Sequence, residues 1–127
     1  MIEVQNLIIS TLKTAMPFSE ILSYVEENET PPYVHVSYLD SGENDTDTEE
    51  GFISDVLIST YSRYRGFKEV ADLQKQIYDT LHRVTLPATD NFCVSTIQQE
   101  SSNIETDSDG LTRVGVQRFT VIFEPLP

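Results

Sequence analysis

The sequence predicts an α+β domain: two helices packed on one face of a mostly antiparallel sheet, in the order α-β-β-β-α-β-β and ending in a long hairpin. Three observations lead there. Two segments carry apolar residues at helical spacing. Five carry β-branched and aromatic residues in near alternation. Turn-forming residues join the last two strands directly, and strands joined mainly by hairpins leave the helices on one side of the sheet. A chain of 127 residues is a common size for one domain, so a single core is expected over residues 1–127.

Residues 3–15 read as the first helix, with Val4, Leu7, Ile8, Thr11, Leu12 and Ala15 on one face. Pro17 ends it, because the residue before a proline disfavours helical angles. Ile21-Leu22-Ser23-Tyr24-Val25 fits a short strand or a helical turn, and the strand is the expectation. Pro31-Pro32 punctuates the chain before Tyr33–Leu39, a strand whose entrance tolerates proline because no ladder donor is needed there. Residues 40–51, DSGENDTDTEEG, hold six carboxylates and no lysine or arginine, and read as an exposed, flexible loop.

Phe52–Tyr61 is the next strand. Val56, Ile58 and Thr60 share one face and Leu57, Ser59 and Tyr61 the other, as in a central strand or one covered twice. Gly66–Val84 is the clearest helix, with Val70, Leu73, Ile77, Leu81 and Val84 in one stripe and Pro87 closing it. Phe92–Glu105 and Leu111–Phe123 form the hairpin around Asp107-Ser108-Asp109-Gly110. The apolar parity of the last strand changes: Val114 and Val116 are even, while Phe119, Val121 and Phe123 are odd. A β-bulge near Gln117-Arg118 reconciles the two sets, and so does a change of partner strand.

Eight basic residues face 21 acidic ones, for a formal net charge of −13. That excludes a nucleic-acid binder, which needs cations to replace phosphate counterions, and a protein held to anionic membranes. A surface past which DNA slides without sticking would carry this charge; solubility alone is the plainer account. Cys93 is the only cysteine, so no intramolecular disulfide forms; Phe92-Cys93-Val94 suggests a small buried apolar residue. The N-terminus lacks a signal pattern, and no apolar run approaches the roughly 18 residues of a membrane span. A soluble chain made in the cytoplasm is expected.

Catalytic and metal chemistry find little support. His35 and His82 stand on a strand and a helix with no second ligand at metal spacing, and His82 is expected at the surface near a helix C-terminus. Asp45–Gly51 departs from a calcium loop: Glu49 occupies the third ligand position, the glycine comes one residue late, and strands flank the segment. Asp107 and Asp109 read as turn formers. There is no G-x-G-x-x-G, no P-loop and no nucleophile elbow, so no cofactor, metal or catalytic residue is expected. The sparse cations cluster instead. Arg63, Arg65 and Lys68 bracket the junction into the second helix, while Arg113 and Arg118 lie on the last strand. Their partners are carboxylates of the same chain or of a neighbouring subunit.

Four segments carry a resemblance. The first is an amphipathic helix followed by Pro31-Pro32-Tyr33-Val34-His35-Val36. The second is an acidic stretch leading into Val56-Leu57-Ile58-Ser59-Thr60-Tyr61-Ser62-Arg63. Gly66-Phe67-Lys68-Glu69-Val70 follows and opens a helix. The last is Asp107-Ser108-Asp109-Gly110-Leu111-Thr112-Arg113-Val114-Gly115-Val116-Gln117-Arg118-Phe119, similar to a "D-x-D-G-x-x-R-x-G-x-x-R-[FY]" ending. In this order they resemble the tail-terminator (tail-completion, head-tail joining) proteins of long-tailed phages and gene-transfer agents. Region 18–30 departs from the pattern.

The resemblance implies a structural virion protein and no catalysis. It implies a homohexameric ring at the tail-head junction, assembled in the host cytoplasm, that caps the tail tube and ends its polymerisation. Its partners would be further copies of itself, the major tail tube protein and the head-tail connector or stopper, with DNA passing through the lumen unbound. Subunits at this charge would stay monomeric until the tube end templates the ring. Arg63, Arg113 and Arg118 are the candidate subunit contacts. The rival readings are a non-phage cytosolic binding module that stays monomeric, and an enzyme whose site is assembled from distant residues.

Overall fold

The computed structural model of the chain describes residues 2–26, 29–38, 46–48, 51–86, 88–89 and 92–125. Its elements are α1 (Ile2–Ala15), β1 (Ile21–Leu22), β2 (Tyr33–Tyr38), β3 (Thr46–Thr48), β4 (Gly51–Ser62), α2 (Lys68–Leu81), β5 (Phe92–Thr106) and β6 (Arg113–Pro125). The strands form one mixed sheet in the order β1-β2-β4-β6-β5, with β3 also paired to β4. Only β1 and β2 run parallel. The α+β class and the closing hairpin are as expected, and β3 is an additional strand.

β3 corrects the reading of residues 40–51 as one loop. Thr46, Asp47 and Thr48 pair with Ile53, Phe52 and Gly51, so this part is ladder. Residues 40–45, 49 and 50 lie outside the described residues, and with them most of the calcium-loop comparison.

Both helices cover one face of the sheet. Val4, Ile8 and Leu12 of α1 are fully buried, as are Val70, Ile77 and Leu81 of α2. All but Val70 join one cluster with Val34, Val36, Val56, Ile58, Ile97, Phe119, Val121 and Phe123, the residues that alternate toward the helices, while Val70 lies over Gly115. The Gln5 side-chain amide donates to the Val36 carbonyl (2.7 Å), tying α1 to β2. α2 departs from its predicted stripe at one position. Leu73 is only half-buried, and Gln74 occupies the buried place beside it.

α2 also ends earlier than Pro87 suggests. His82 caps it by donating its backbone N–H to the Tyr78 carbonyl. Arg83 then takes a positive φ of 57° and donates its own N–H to the Ile97 carbonyl (2.7 Å). A left-handed residue directly after the last turn reverses the chain, so the stop precedes any proline.

β6 contains no bulge at Gln117-Arg118. Its pairing with β4 runs unbroken from Phe52↔Phe123 to Ser62↔Arg113. The register shifts lie on β5, at Val94/Thr96 and Gln99/Ser101. The parity change therefore has another cause. Gly115, Gln117, Phe119, Val121 and Phe123 all face the helices, and a buried polar residue and a glycine hide the continuation of the apolar set. Val114, Val116 and Ile122 belong to the opposite face.

Candidate assembly surface

No described element packs on the face of the sheet away from the helices. Alternation places Ile53, Leu57, Tyr61, Val114, Val116 and Ile122 there, each half-buried, with Asp55, Arg118 and Thr120 among them. The rings of Tyr33 and Tyr61 stack with centroids 4.7 Å apart at one end of this face. A mixed face of this kind matches the composition of protein contacts more than that of a ligand pocket.

The three candidate arginines are held by their own chain. Arg118 pairs with Asp55 on the open face, and Thr120 Oγ1 donates to the same carboxylate at 3.2 Å. Arg63 and Arg113 sit together at the end of the sheet where β4 stops and β6 starts, since Ser62 pairs with Arg113. Arg63 Nε donates to Thr112 Oγ1 (3.2 Å), with Asp109 3.9 Å from its guanidinium. The Arg113 guanidinium donates to the Leu111 carbonyl (2.9 Å) and lies 5.4 Å from the centroid of the Phe67 ring. The structure thus joins two of the three at one corner and leaves Arg118 on the sheet face.

That corner is built on the β5–β6 turn. Asp107 and Asp109 act as the turn formers expected of them. Asp109 Oδ1 accepts from the N–H groups of Leu111 and Thr112, both at 2.8 Å, and its Oδ2 accepts from the Thr112 hydroxyl at 2.7 Å. Hydrogen bonds from Thr112, then from Leu111, pull the Asp109 carboxyl down to about 2, with the Arg63 charge helping. Gly110 supplies the positive φ, 73°, that the turn needs.

The loop from Arg63 to Phe67 forms the rest of the corner, and all five of its residues are exposed. Ser62 Oγ accepts from the Tyr64 N–H (3.1 Å) and donates to Glu69 (2.6 Å), while Gly66 turns the chain with φ 72°. The sequence placed Arg65 in the cation cluster at this junction but gave Tyr64 and Phe67 no role of their own, although two aromatics flanking a cation between a strand and a helix were a signal of one.

Little in the fold gathers chemistry. His35 lies on the open face of β2, whereas His82 accepts from the Gln99 N–H at Nδ1 (3.0 Å) and stacks on Tyr78. His82 is half-buried against β5 and not the free surface residue expected, because β5 passes over the end of α2. Cys93 is half-exposed on edge strand β5, correcting its reading as a buried residue; the pattern Phe92-Cys93-Val94 points its two neighbours inward. Among the described residues no group of three or more His, Cys, Asp or Glu could hold a metal ion. No described helix is long and apolar enough to cross a membrane.

No curated protein sequence matches the chain. A chain from the structure "Virion of native gene transfer agent (GTA) particle" has a similar fold, with a TM-score of 0.73 at 14% identity over 95% of this chain and 94% of that one. The family model "Tail completion protein gp17" matches residues 9–124, from the middle of α1 nearly to the end of β6. With that match covering the second half of α1, all of α2 and nearly all of the sheet, the chain belongs to the gp17 family of tail completion proteins.

Proposed function

We propose that this chain is a structural component of a phage or gene-transfer-agent tail. In this reading it caps the tail tube, ends the tube's polymerisation and joins the tail to the head connector, without catalysis. The family match over residues 9–124 carries the reading. The neighbour of similar fold comes from a virion, which supports a place in the particle, here assigned to the tail-head junction.

A ring of six copies fits the surfaces described. A closed ring needs two different contact patches on each subunit. The open sheet face offers one and the corner of Arg63 and Arg113 the other. Arg118, in the middle of the sheet face, stands where a neighbour's carboxylate would add to Asp55. The net charge of −13 fits a lumen that lets DNA pass without holding it. The same charge opposes association of free subunits, so the tube end supplies the second interface that makes closure favourable.

Deletion with complementation tests this. Particles made without the chain should have tails of irregular length or unjoined heads, and the wild-type chain supplied in trans should restore them. Normal tails joined to heads in its complete absence would end the proposal.

A further inference from the structure

We propose that the loop Arg63–Phe67, with Tyr64 and Arg65 as its anchors, is the patch by which one copy of this chain grips an acidic face of a second copy. The inference rests on the ring reading and narrows its corner patch to one loop, its anchors and the kind of face that they meet. Four observations carry it.

Large apolar groups collect at this end of the sheet. Tyr64 is 60% exposed, Phe67 50% and Leu111 65%. Phe18 stands nearby at 102%, on the rim of a cleft shared with Pro32, Tyr33 and Leu73. Exposed aromatics beside arginine are the residues that most often dominate binding energy at protein contacts.

The loop's backbone is tied to its surroundings. Ser62 Oγ holds the Tyr64 N–H and Glu69, and the Arg113 guanidinium lies over the Phe67 ring, contacts that reduce the backbone freedom to be lost on binding.

Arg65 has no partner among the described residues. Arg63, Lys68, Lys75, Arg113 and Arg118 each hold an acceptor in their own chain. The side chains of Arg65, Lys13 and Arg83 make no hydrogen bond or ion pair among the described residues, and of these three Arg65 alone belongs to the Arg63–Phe67 loop. Its exposed side chain, next to Tyr64 in sequence, is available to a carboxylate from outside.

The charge balance selects the occupant. The chain carries 21 acidic residues against eight basic ones, so a second copy has carboxylates to offer this loop. Two such loops facing each other would oppose their arginines, which disfavours a two-fold contact and favours a heterologous one. A groove lined by Tyr64, Lys68, Glu69, Asp72, Leu73 and Gln76 lies beside the loop, where a neighbour's side chain can enter.

The test places a photo-crosslinking amino acid at position 64, and in a second variant at position 67, of the full chain supplied to particle-producing cells that lack their own copy. Irradiated particles should yield a product of twice 14.4 kDa, with the crosslinked peptide in an acidic segment of a second copy. Arg65→Glu should lower the amount of chain incorporated by about tenfold, a loss of one neighbour's attraction, while the free subunit melts as the wild type does. A crosslink only to a chain of different mass would overturn the inference and leave the tail role standing. So would full incorporation of Arg65→Glu. Absence of the wild-type chain from the particles would remove the tail role and the inference together.

Discussion

Gly115→Ala tests how the second helix is seated on the sheet. Gly115 lies under α2, where a Cβ would stand 2.4 Å from Gln74 Nε2, 2.8 Å from Gln74 Cδ and 2.9 Å from Val70 Cγ2. None of these separations is tolerable for nonbonded atoms, so either Gln74 leaves or α2 lifts. If Gln74 leaves, its hydrogen bond to the Asn103 carbonyl (3.2 Å) is lost and a buried amide must find another partner. That loss costs about 1 kcal/mol. Crowding against Val70, on a helix anchored at both ends, adds about 1–3 kcal/mol. The expected destabilisation is therefore about 2–4 kcal/mol, a fall in Tm on the order of 10 °C for a domain of this size. Urea unfolding followed by circular dichroism measures it. Gln74→Ala in the same chain removes two of the three clashes, so the double variant should recover at least about 1 kcal/mol relative to additivity. Wild-type stability for Gly115→Ala, or strict additivity with Gln74→Ala, would refute the close approach of α2 to β6.

Ile77→Ala should cost about 2–5 kcal/mol, whereas the half-buried Leu73→Ala should cost clearly less; equal midpoints in urea would contradict this placement of α2. The Asp109 carboxyl sits at about 2 in the folded chain, below its unfolded value, so its contribution is full above the ordinary carboxylate range and is lost as pH falls through about 2. Wild type and Asp109→Asn, melted between neutral and strongly acidic pH, should therefore converge at the acid end, and a constant gap would show that the turn bonds do not favour the ionised form. Cys93 is half-exposed, so a thiol reagent should label it in the native protein without denaturant; labelling that required unfolding would put the side chain inside. Arg118→Glu places a carboxylate beside Asp55 on the open face and should weaken incorporation into particles while the subunit still folds; undiminished incorporation would remove Arg118 from the contact.

Local pattern alone was enough for the class, the two helices and the hairpin. Periodicity at positions such as Val70, Ile77 and Leu81 reports which side of a helix is apolar, and Asp-Ser-Asp-Gly reports a turn from the bonding habits of its own side chains. The resemblance to tail-completion proteins was legible for the same reason, since its motifs are short and ordered along the chain. What pattern missed depends on contacts between distant segments. Gln117 interrupts the apolar set of β6, yet it is buried because its amide donates to the Gln74 carbonyl (3.0 Å) and to Gln99 Oε1 (2.8 Å), and neither partner is near it in sequence. β3, Thr46-Asp47-Thr48, is too short and too deep in an acidic stretch to stand out in the sequence, and it shows as a strand through its pairing with the start of β4. Arg63, Arg113 and Arg118 look equally free in the sequence, and so does Arg65. Folding pairs the first three with groups of their own chain and gives Arg65 no partner among the described residues, because pairing is decided by where the sheet register brings carboxylates and carbonyls, which no single segment encodes.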